Sequence, residues 1–141
     1  MRRLALAALL AFAGCGAPGT PEDEVRAFVD AAESAAEARD ASALKDLVAD
    51  DYQDRQGRTA GDVRNFLHAW LVAHPSVNLL TRIDRIELEG TELARFEVTV
   101  GLLGREVKGD SDWSLAFEVE RLDIRLARED GEWKVIGASR L

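Results

Sequence analysis

The sequence is poor in cysteine and in long hydrophobic runs. Cys15 is the only cysteine among 141 residues, which excludes a disulfide framework and any zinc site that needs two cysteines. The longest apolar run, residues 4–13, reaches only half of the roughly 20 residues that a membrane-spanning helix requires. We therefore expect a chain that has neither structural disulfides nor a transmembrane helix.

Positive charge is also scarce. Lys and Arg number 18 against 26 Asp and Glu, which gives a formal net charge of −8. Such a chain is repelled by phosphate backbones, so no nucleic-acid partner is expected. Hydrophobic residues make up 47% and charged residues 31%, a composition typical of a folded globular chain. The length predicts a single domain, residues 22–141.

The N-terminal residues have the pattern of an export signal. Arg2 and Arg3 precede the apolar run, which predicts a secretory signal peptide over residues 1–14. Small residues after Phe12 lead directly into Cys15, and this arrangement resembles the lipobox of bacterial lipoproteins. The resemblance implies cleavage before Cys15 and attachment of a diacylglycerol to its thiol. The alternative is an ordinary, unpaired cysteine in a plain signal peptide.

A lipidated Cys15 implies a location for the whole protein. Two or more acyl chains hold a protein on a bilayer almost permanently, so the partner of this end is a membrane. Residues 15–21 are small or contain proline and glycine, which is typical of a short tether. In a Gram-negative host, Gly16 after the cysteine resembles the class sorted to the periplasmic face of the outer membrane.

Three helices are predicted in the first half of the domain. Thr20 and Thr59 each precede an aspartate by three residues, the pattern of a capping box. The first box begins an amphipathic helix over residues 22–39, and the second begins a helix that ends at His74, before Pro75. An apolar stripe that includes Phe66 and Trp70 predicts that this last helix packs on the core. Asp40 is the predicted cap of a shorter helix between them.

After Pro75 the apolar period changes from 3.6 to 2, which predicts strands. The alternation from Val77 shifts phase near Asp84, which indicates a β-bulge. Further strands are predicted over residues 96–102, 122–126 and 133–139, and residues 104–112 are predicted to be a glycine- and charge-rich loop. Residues 113–119 fit either a strand or a short helical turn.

Three helices before a four-stranded antiparallel meander predict an α+β fold, with the helices packed on one face of a curved sheet. Residues 47–57, 66–70, 79–83 and 128–135 resemble bacterial lipoproteins with a nuclear transport factor 2-like domain, also called SnoaL-like or cystatin-like. That resemblance implies a cone-shaped fold with a pocket between the sheet and the helices. It implies no agreed activity, since those lipoproteins are largely uncharacterised.

The resemblance also suggests where chemistry would lie, because enzymes of this superfamily place an Asp, His or Tyr inside the cone. The inward strand positions predicted here, from Phe96 to Leu102 and from Leu122 to Leu126, carry no titratable group. We therefore expect no acid or base on the sheet and no catalytic residue. The candidate pocket residues are Tyr52, Asp54, Phe66, Trp70, Phe96, Trp113 and Trp133.

The remaining polar candidates favour structural roles. His68 is predicted to face solvent and His74 to cap a helix end, so no metal site and no cofactor are expected. Tyr52 is predicted to be half-buried with a hydrated hydroxyl, in contact with a ligand as the alternative. The acidic residues Asp50, Asp51 and Asp54 are predicted to form a solvated helix end.

Three functions remain open. The first is a non-catalytic lipoprotein whose cone binds a small apolar ligand or is filled by its own side chains. The second is a cell-envelope adaptor for a protein partner, and the third is a small isomerase- or hydrolase-type enzyme. Charged residues on the outer sheet face are predicted to be solvated, which predicts a monomer or a weak dimer. Those outward positions are Arg95, Glu97, Thr99, Asp123, Arg125, Ala127 and Lys134.

Overall fold

A computed structural model describes residues 19–108 and 112–141, with side chains described for residues 19–103 and 118–141. The predicted signal peptide, Cys15 and most of the tether lie outside the described residues. Within the described part, no helix combines the length and the apolar character needed to span a membrane.

Three helices form where the capping signals predict them. They are α1 (Pro21–Glu37), α2 (Ala41–Asp46) and α3 (Ala60–Ala73). At the start of α1, Thr20 and Asp23 exchange side chain to backbone hydrogen bonds of 3.1 and 3.2 Å. Thr59 and Asp62 form the same reciprocal pair at the start of α3. Both capping boxes predicted from the sequence are confirmed, since each satisfies N–H groups that a helix end leaves without partners.

The strands form one antiparallel meander in the order β1-β2-β3-β4. Their bounds are β1 (Asn78–Glu89), β2 (Leu93–Lys108), β3 (Asp112–Glu129) and β4 (Glu132–Arg140). The register of β1 against β2 passes from Ile83 to Arg85 and leaves Asp84 unmatched, which confirms the predicted bulge. The α+β class and the curved four-stranded sheet are therefore as predicted.

The prediction of a loop over residues 104–112 is wrong. β2 continues to Lys108, β3 begins at Asp112, and these two residues face each other in the ladder. Residues 113–119, which fitted two structures, are strand. The backbone of two neighbouring strands satisfies its own hydrogen bonds, so pairing continues through glycine and charged residues that rarely favour strands.

The helices cover the inner face of the sheet. Val25 and Val29 of α1 pack with Phe96, Leu126 and Trp133. Full burial of one such valine contributes about 1.5–3 kcal/mol. A second buried cluster joins the ends of α1 and α2 to α3 and β1. Its buried members are Ala36, Leu44, Leu71 and Val77.

The chain between α2 and α3 runs along the edge of β4. Val48 forms a parallel bridge with Val135, and the N–H of Ala49 donates to the carbonyl of Val135 at 3.0 Å. Further along, the N–H of Gln53 donates to the carbonyl of Ile136 at 3.1 Å. Residues 47–53, called the edge segment below, thereby cover a strand edge that would otherwise be free.

The outer face of the sheet is polar at one end and apolar at the other. Arg95 pairs with Asp123 across β2 and β3, with a shortest distance of 2.5 Å from Nη2 to Oδ2. Asp123 is buried, so the prediction that every outward charge is solvated is wrong at this position. At the opposite end Leu80, Leu103 and Val119 are exposed.

Candidate functional site

An open cavity of about 710 Å³ lies between α3 and the inner face of the sheet. Its floor is apolar and comes from four elements: Leu67 and Trp70 of α3, Leu79 of β1, Val100 and Leu102 of β2, and Leu122 of β3. Its rim is polar and includes Arg58, Asp62, His74, Glu118, Glu120, Ser139 and Arg140.

The structure brings only part of the predicted pocket together. Tyr52, Phe66 and Trp70 line the cavity. Phe96 and Trp133 instead belong to the buried core beneath α1. The side chain of Trp113 lies outside the described residues, and Asp54 lines a smaller recess on the other side of β4.

The aromatic residues of α3 are less buried than the helical pattern predicted. Phe66 is 57% exposed, and Trp70 is only partly buried. Both were predicted to form an apolar stripe that packs on the core. Leu71 of α3 packs in the second buried cluster, but Phe66 and Trp70 border an open cavity, so they form a wall that solvent can reach. Trp70 stacks on His74 with ring centroids 4.4 Å apart.

Acidic groups do reach the cavity from the sheet, so the prediction that none does is wrong. On β3, Glu118 and Glu120 lie opposite Leu102 and Val100 of β2, and both glutamates line the cavity. The carboxylate of Glu120 lies 3.4 Å from Nε of Arg140 on β4. Residues at every second position before Leu122 on β3 share its inward face, and these are Glu120 and Glu118. The sequence therefore contained the pattern that predicts both glutamates on the inner face.

Asp54 is the centre of a buried hydrogen-bond network. Its Oδ1 accepts from the backbone N–H groups of Gln56 at 2.9 Å and Arg58 at 3.1 Å. Its Oδ2 accepts from the Tyr52 hydroxyl at 3.0 Å and from Nε of Arg58 at 2.6 Å. Asp54 and Tyr52 are buried, whereas Asp50 and Asp51 are exposed. The predictions of a solvated Asp54 and of a hydrated Tyr52 hydroxyl are wrong, because the turn after the edge segment folds over both groups.

This network fixes the protonation of both side chains. Burial raises the pKa of Asp54, but the hydrogen bonds from Arg58, Tyr52 and Gln56 outweigh burial and hold that pKa below its ordinary value. Burial, followed by the hydrogen bond to Asp54, raises the pKa of Tyr52. At neutral pH the carboxylate is ionised and the phenol is a hydrogen-bond donor. The Tyr52–Asp54–Arg58 network therefore positions the end of the cavity near β4.

The two histidines differ in position. His68 is exposed, as predicted. His74 ends α3, as predicted, and its Nδ1 lies 2.8 Å from the carbonyl oxygen of Trp70. A carbonyl only accepts hydrogen bonds, so Nδ1 carries the proton in this contact and Nε2 is the nitrogen that remains for other partners. Among the described residues, no group of three His, Cys, Asp or Glu side chains is arranged to hold a metal ion.

Solved structures with the same architecture identify the fold. A protein from Streptomyces avermitilis, provisionally assigned as a dehydratase of the nuclear transport factor 2-like family, is 16% identical, with a TM-score of 0.72 over 88% of this chain and 99% of that one. An uncharacterised protein with a cystatin-like fold from Caulobacter vibrioides is also 16% identical, with a TM-score of 0.68 over 86% of this chain and 89% of that one. The chain has a nuclear transport factor 2-like fold.

A third structure with this fold is a hexachlorocyclohexane dehydrochlorinase. It is 14% identical, with a TM-score of 0.69 over 85% of this chain and 83% of that one. No family model matches the chain, and no curated protein matches it. Similarity at this level of identity establishes the nuclear transport factor 2-like fold of the chain, and function has to be argued from the cavity itself.

Proposed function

We propose that the protein is a lipid-anchored cell-envelope protein whose cavity binds a small ligand with an apolar body and a polar end. The observation that carries this proposal is the division of the cavity into an apolar floor and a polar rim. Small-molecule sites typically measure about 300–1,000 Å³ and combine mostly apolar walls with a few polar groups that orient the ligand. The cavity volume of about 710 Å³ falls within that range.

A binding role without catalysis fits two of the polar groups that line the cavity. The Tyr52 hydroxyl donates to Asp54, and Asp62 accepts the hydrogen bonds that cap α3. The hydrogen bonds from Thr59 lower the pKa of Asp62. It is therefore ionised and engaged at neutral pH, which makes it a poor proton donor for a bound ligand.

The second candidate function is an enzyme of isomerase or dehydratase type. His74 favours it, because its Nδ1–H is held by the carbonyl of Trp70 while the ring lines the cavity. This arrangement leaves Nε2 able to accept a proton from a ligand. An envelope adaptor is the third candidate, and the exposed Leu80, Leu103 and Val119 support it.

Ligand binding is tested with the apolar fluorescent probe anilinonaphthalene sulfonate. We expect Trp70→Ala to weaken probe binding at least about tenfold, a loss of about 1.4 kcal/mol. The control is Val72→Ala on the same helix, since Val72 is 67% exposed and does not line the cavity. Equal affinities of Trp70→Ala and Val72→Ala would show that the probe does not bind in the cavity.

A substitution at His74, measured with the same probe, separates ligand binding from catalysis. His74→Gln removes one rim group and keeps the apolar floor, so we expect it to retain probe binding with a smaller loss of affinity than Trp70→Ala. An isomerase or dehydratase turnover that disappears in His74→Gln, while probe binding and thermal stability are kept, would favour the enzyme over the binding protein.

The anchor is tested by detergent phase partitioning of Cys15→Ser. Acyl chains are the anchor proposed here, so the serine variant is expected to leave the detergent phase or to accumulate unprocessed. A serine variant that is processed and still partitions with membranes would contradict lipid anchoring through Cys15.

A further inference from the structure

The polar end of the outer sheet face contains a small recess of about 150 Å³. The register of the strands places the residues around this recess side by side. Arg95 lies opposite Arg125, Arg125 lies opposite Gly137, and Asp123 lies opposite Ser139. A further arginine, Arg55, lies two residues after the edge segment and also lines the recess. Three arginines from separate parts of the chain therefore meet around one concavity.

The two acids that line the recess are already neutralised. Asp123 receives three hydrogen bonds of 2.5 to 3.0 Å from the guanidinium of Arg95. Asp54 is held by Arg58 and by its other donors. Among the residues whose side chains are described, Arg55 and Arg125 pair with no carboxylate. Two uncompensated cations thus face the recess of a chain whose overall charge is negative.

The position of Arg125 depends on the absence of a side chain at residue 137. A Cβ built on Gly137 would lie 3.1 Å from both Cζ and Nε of Arg125, and it would collide with one terminal nitrogen. The Arg125 guanidinium therefore occupies the space that a side chain at residue 137 would fill. A guanidinium is planar and can present paired N–H donors to an oxyanion.

We propose that this recess binds a small oxyanion of the phosphate or phosphate-ester class. Arg125 and Arg55 supply the charge, and the hydroxyl of Ser139 supplies a further donor. The recess is too small for a drug-sized organic ligand, whereas a single phosphate group needs little space and several N–H donors. The recess opens on the outer face of the sheet and shares Ala138 and Ser139 with the lining of the cavity, whereas Arg55 and Arg125 do not line the cavity.

Two sources could supply the phosphate group: inorganic phosphate in solution or the headgroup of a phospholipid. The test is calorimetric titration of the full-length protein in dodecyl maltoside at low ionic strength, where exposed charges are least screened. One arm uses inorganic phosphate and the other uses dihexanoyl phosphatidic acid, with dihexanoyl phosphatidylcholine as its control. Binding in one arm alone supports the site and identifies the source, and binding in both shows that the phosphate group itself is recognised.

Two variants test the site itself. Arg125→Gln removes a cation, and Gly137→Ala keeps every charge but displaces the guanidinium. Each is expected to weaken phosphate-group binding at least tenfold, with the far-ultraviolet circular dichroism spectrum unchanged. Arg82→Gln, at the opposite edge of the same face, is the matched control and is expected to bind normally. No binding in either arm, or an equal loss in Arg82→Gln, would overturn the proposal.

Discussion

The carboxylate of Asp54 connects the edge segment to the turn that precedes α3. Asp54→Asn keeps the shape of the side chain but removes the charge, and one of its two terminal atoms can no longer accept the present hydrogen bonds. We expect Asp54→Asn to lower the melting temperature by about 5 °C or more, measured by circular dichroism at pH 7. The control is Asp51→Asn in the same acidic run, because Asp51 is exposed and its substitution should leave the melting temperature unchanged.

The lowered pKa of Asp54 also predicts a dependence on pH. A carboxyl group whose pKa is lower in the folded state stabilises that state fully above its unfolded pKa, which is about 4, and loses this contribution as the pH falls further. The free energy of unfolding should therefore decline below about pH 4. Urea titrations between pH 2.5 and 7 measure the decline, which should be shallower in Asp54→Asn. Identical pH profiles for both proteins would contradict this role of Asp54.

Residue-level features were the hardest to predict from the sequence. The burial of Asp54 follows from Tyr52 and Arg58 closing around it, a tertiary contact that no local pattern carries. Glu118 and Glu120 were within reach of prediction, because the alternation through Leu122 places both on the inner face. Their role at the rim depends on how far β3 extends. The glycine and charged residues at positions 104–112 favoured a loop, so the full length of the β2–β3 hairpin was not predicted.

At the scale of elements, the capping box of α3 supports one wall of the cavity. Thr59→Ala removes the hydroxyl that bonds to Asp62 and is expected to reduce the free energy of unfolding by about 1 kcal/mol. Urea unfolding measures this loss. Thr59→Ser retains the hydroxyl and should restore nearly all of the stability. If the serine and alanine variants lose the same stability, the hydroxyl is not what stabilises the helix.

Structural features that are determined by residues close together in the sequence were predicted well. The capping residues, the end of α3 before Pro75 and the bulge at Asp84 each follow from a few neighbouring residues. The β2–β3 hairpin was predicted too short because its outer part is held by the partner strand and not by strand-favouring residues. The edge segment was not predicted at all, since its hydrogen bonds join residues that are far apart in the sequence.

At the scale of the whole molecule, the outer face predicts a monomer or a weak dimer. Stable interfaces bury at least about 1,200 Å² and lack charge at their centres, whereas Arg95, Asp123 and Arg125 occupy one half of this face. Sedimentation velocity of residues 16–141 at micromolar concentration tests this. If a weak dimer forms through the apolar end, Leu80→Glu should dissociate it. A tight dimer that high salt leaves intact would contradict the prediction.

The hydrogen bonds between the edge segment and β4 impose an order on folding. The four strands pair with their neighbours in sequence, so the sheet can grow one hairpin at a time through short loop closures. The edge segment, by contrast, can dock only after β4 is in place, because the N–H groups of Ala49 and Gln53 donate to carbonyls of β4. Ala138, Ser139 and Arg140 of that strand also line the cavity. Tyr52 of the edge segment lines the cavity as well, so we expect the binding site to be complete only when the edge segment has docked. A chain stalled before that step would leave a bare strand edge open to pairing with other chains.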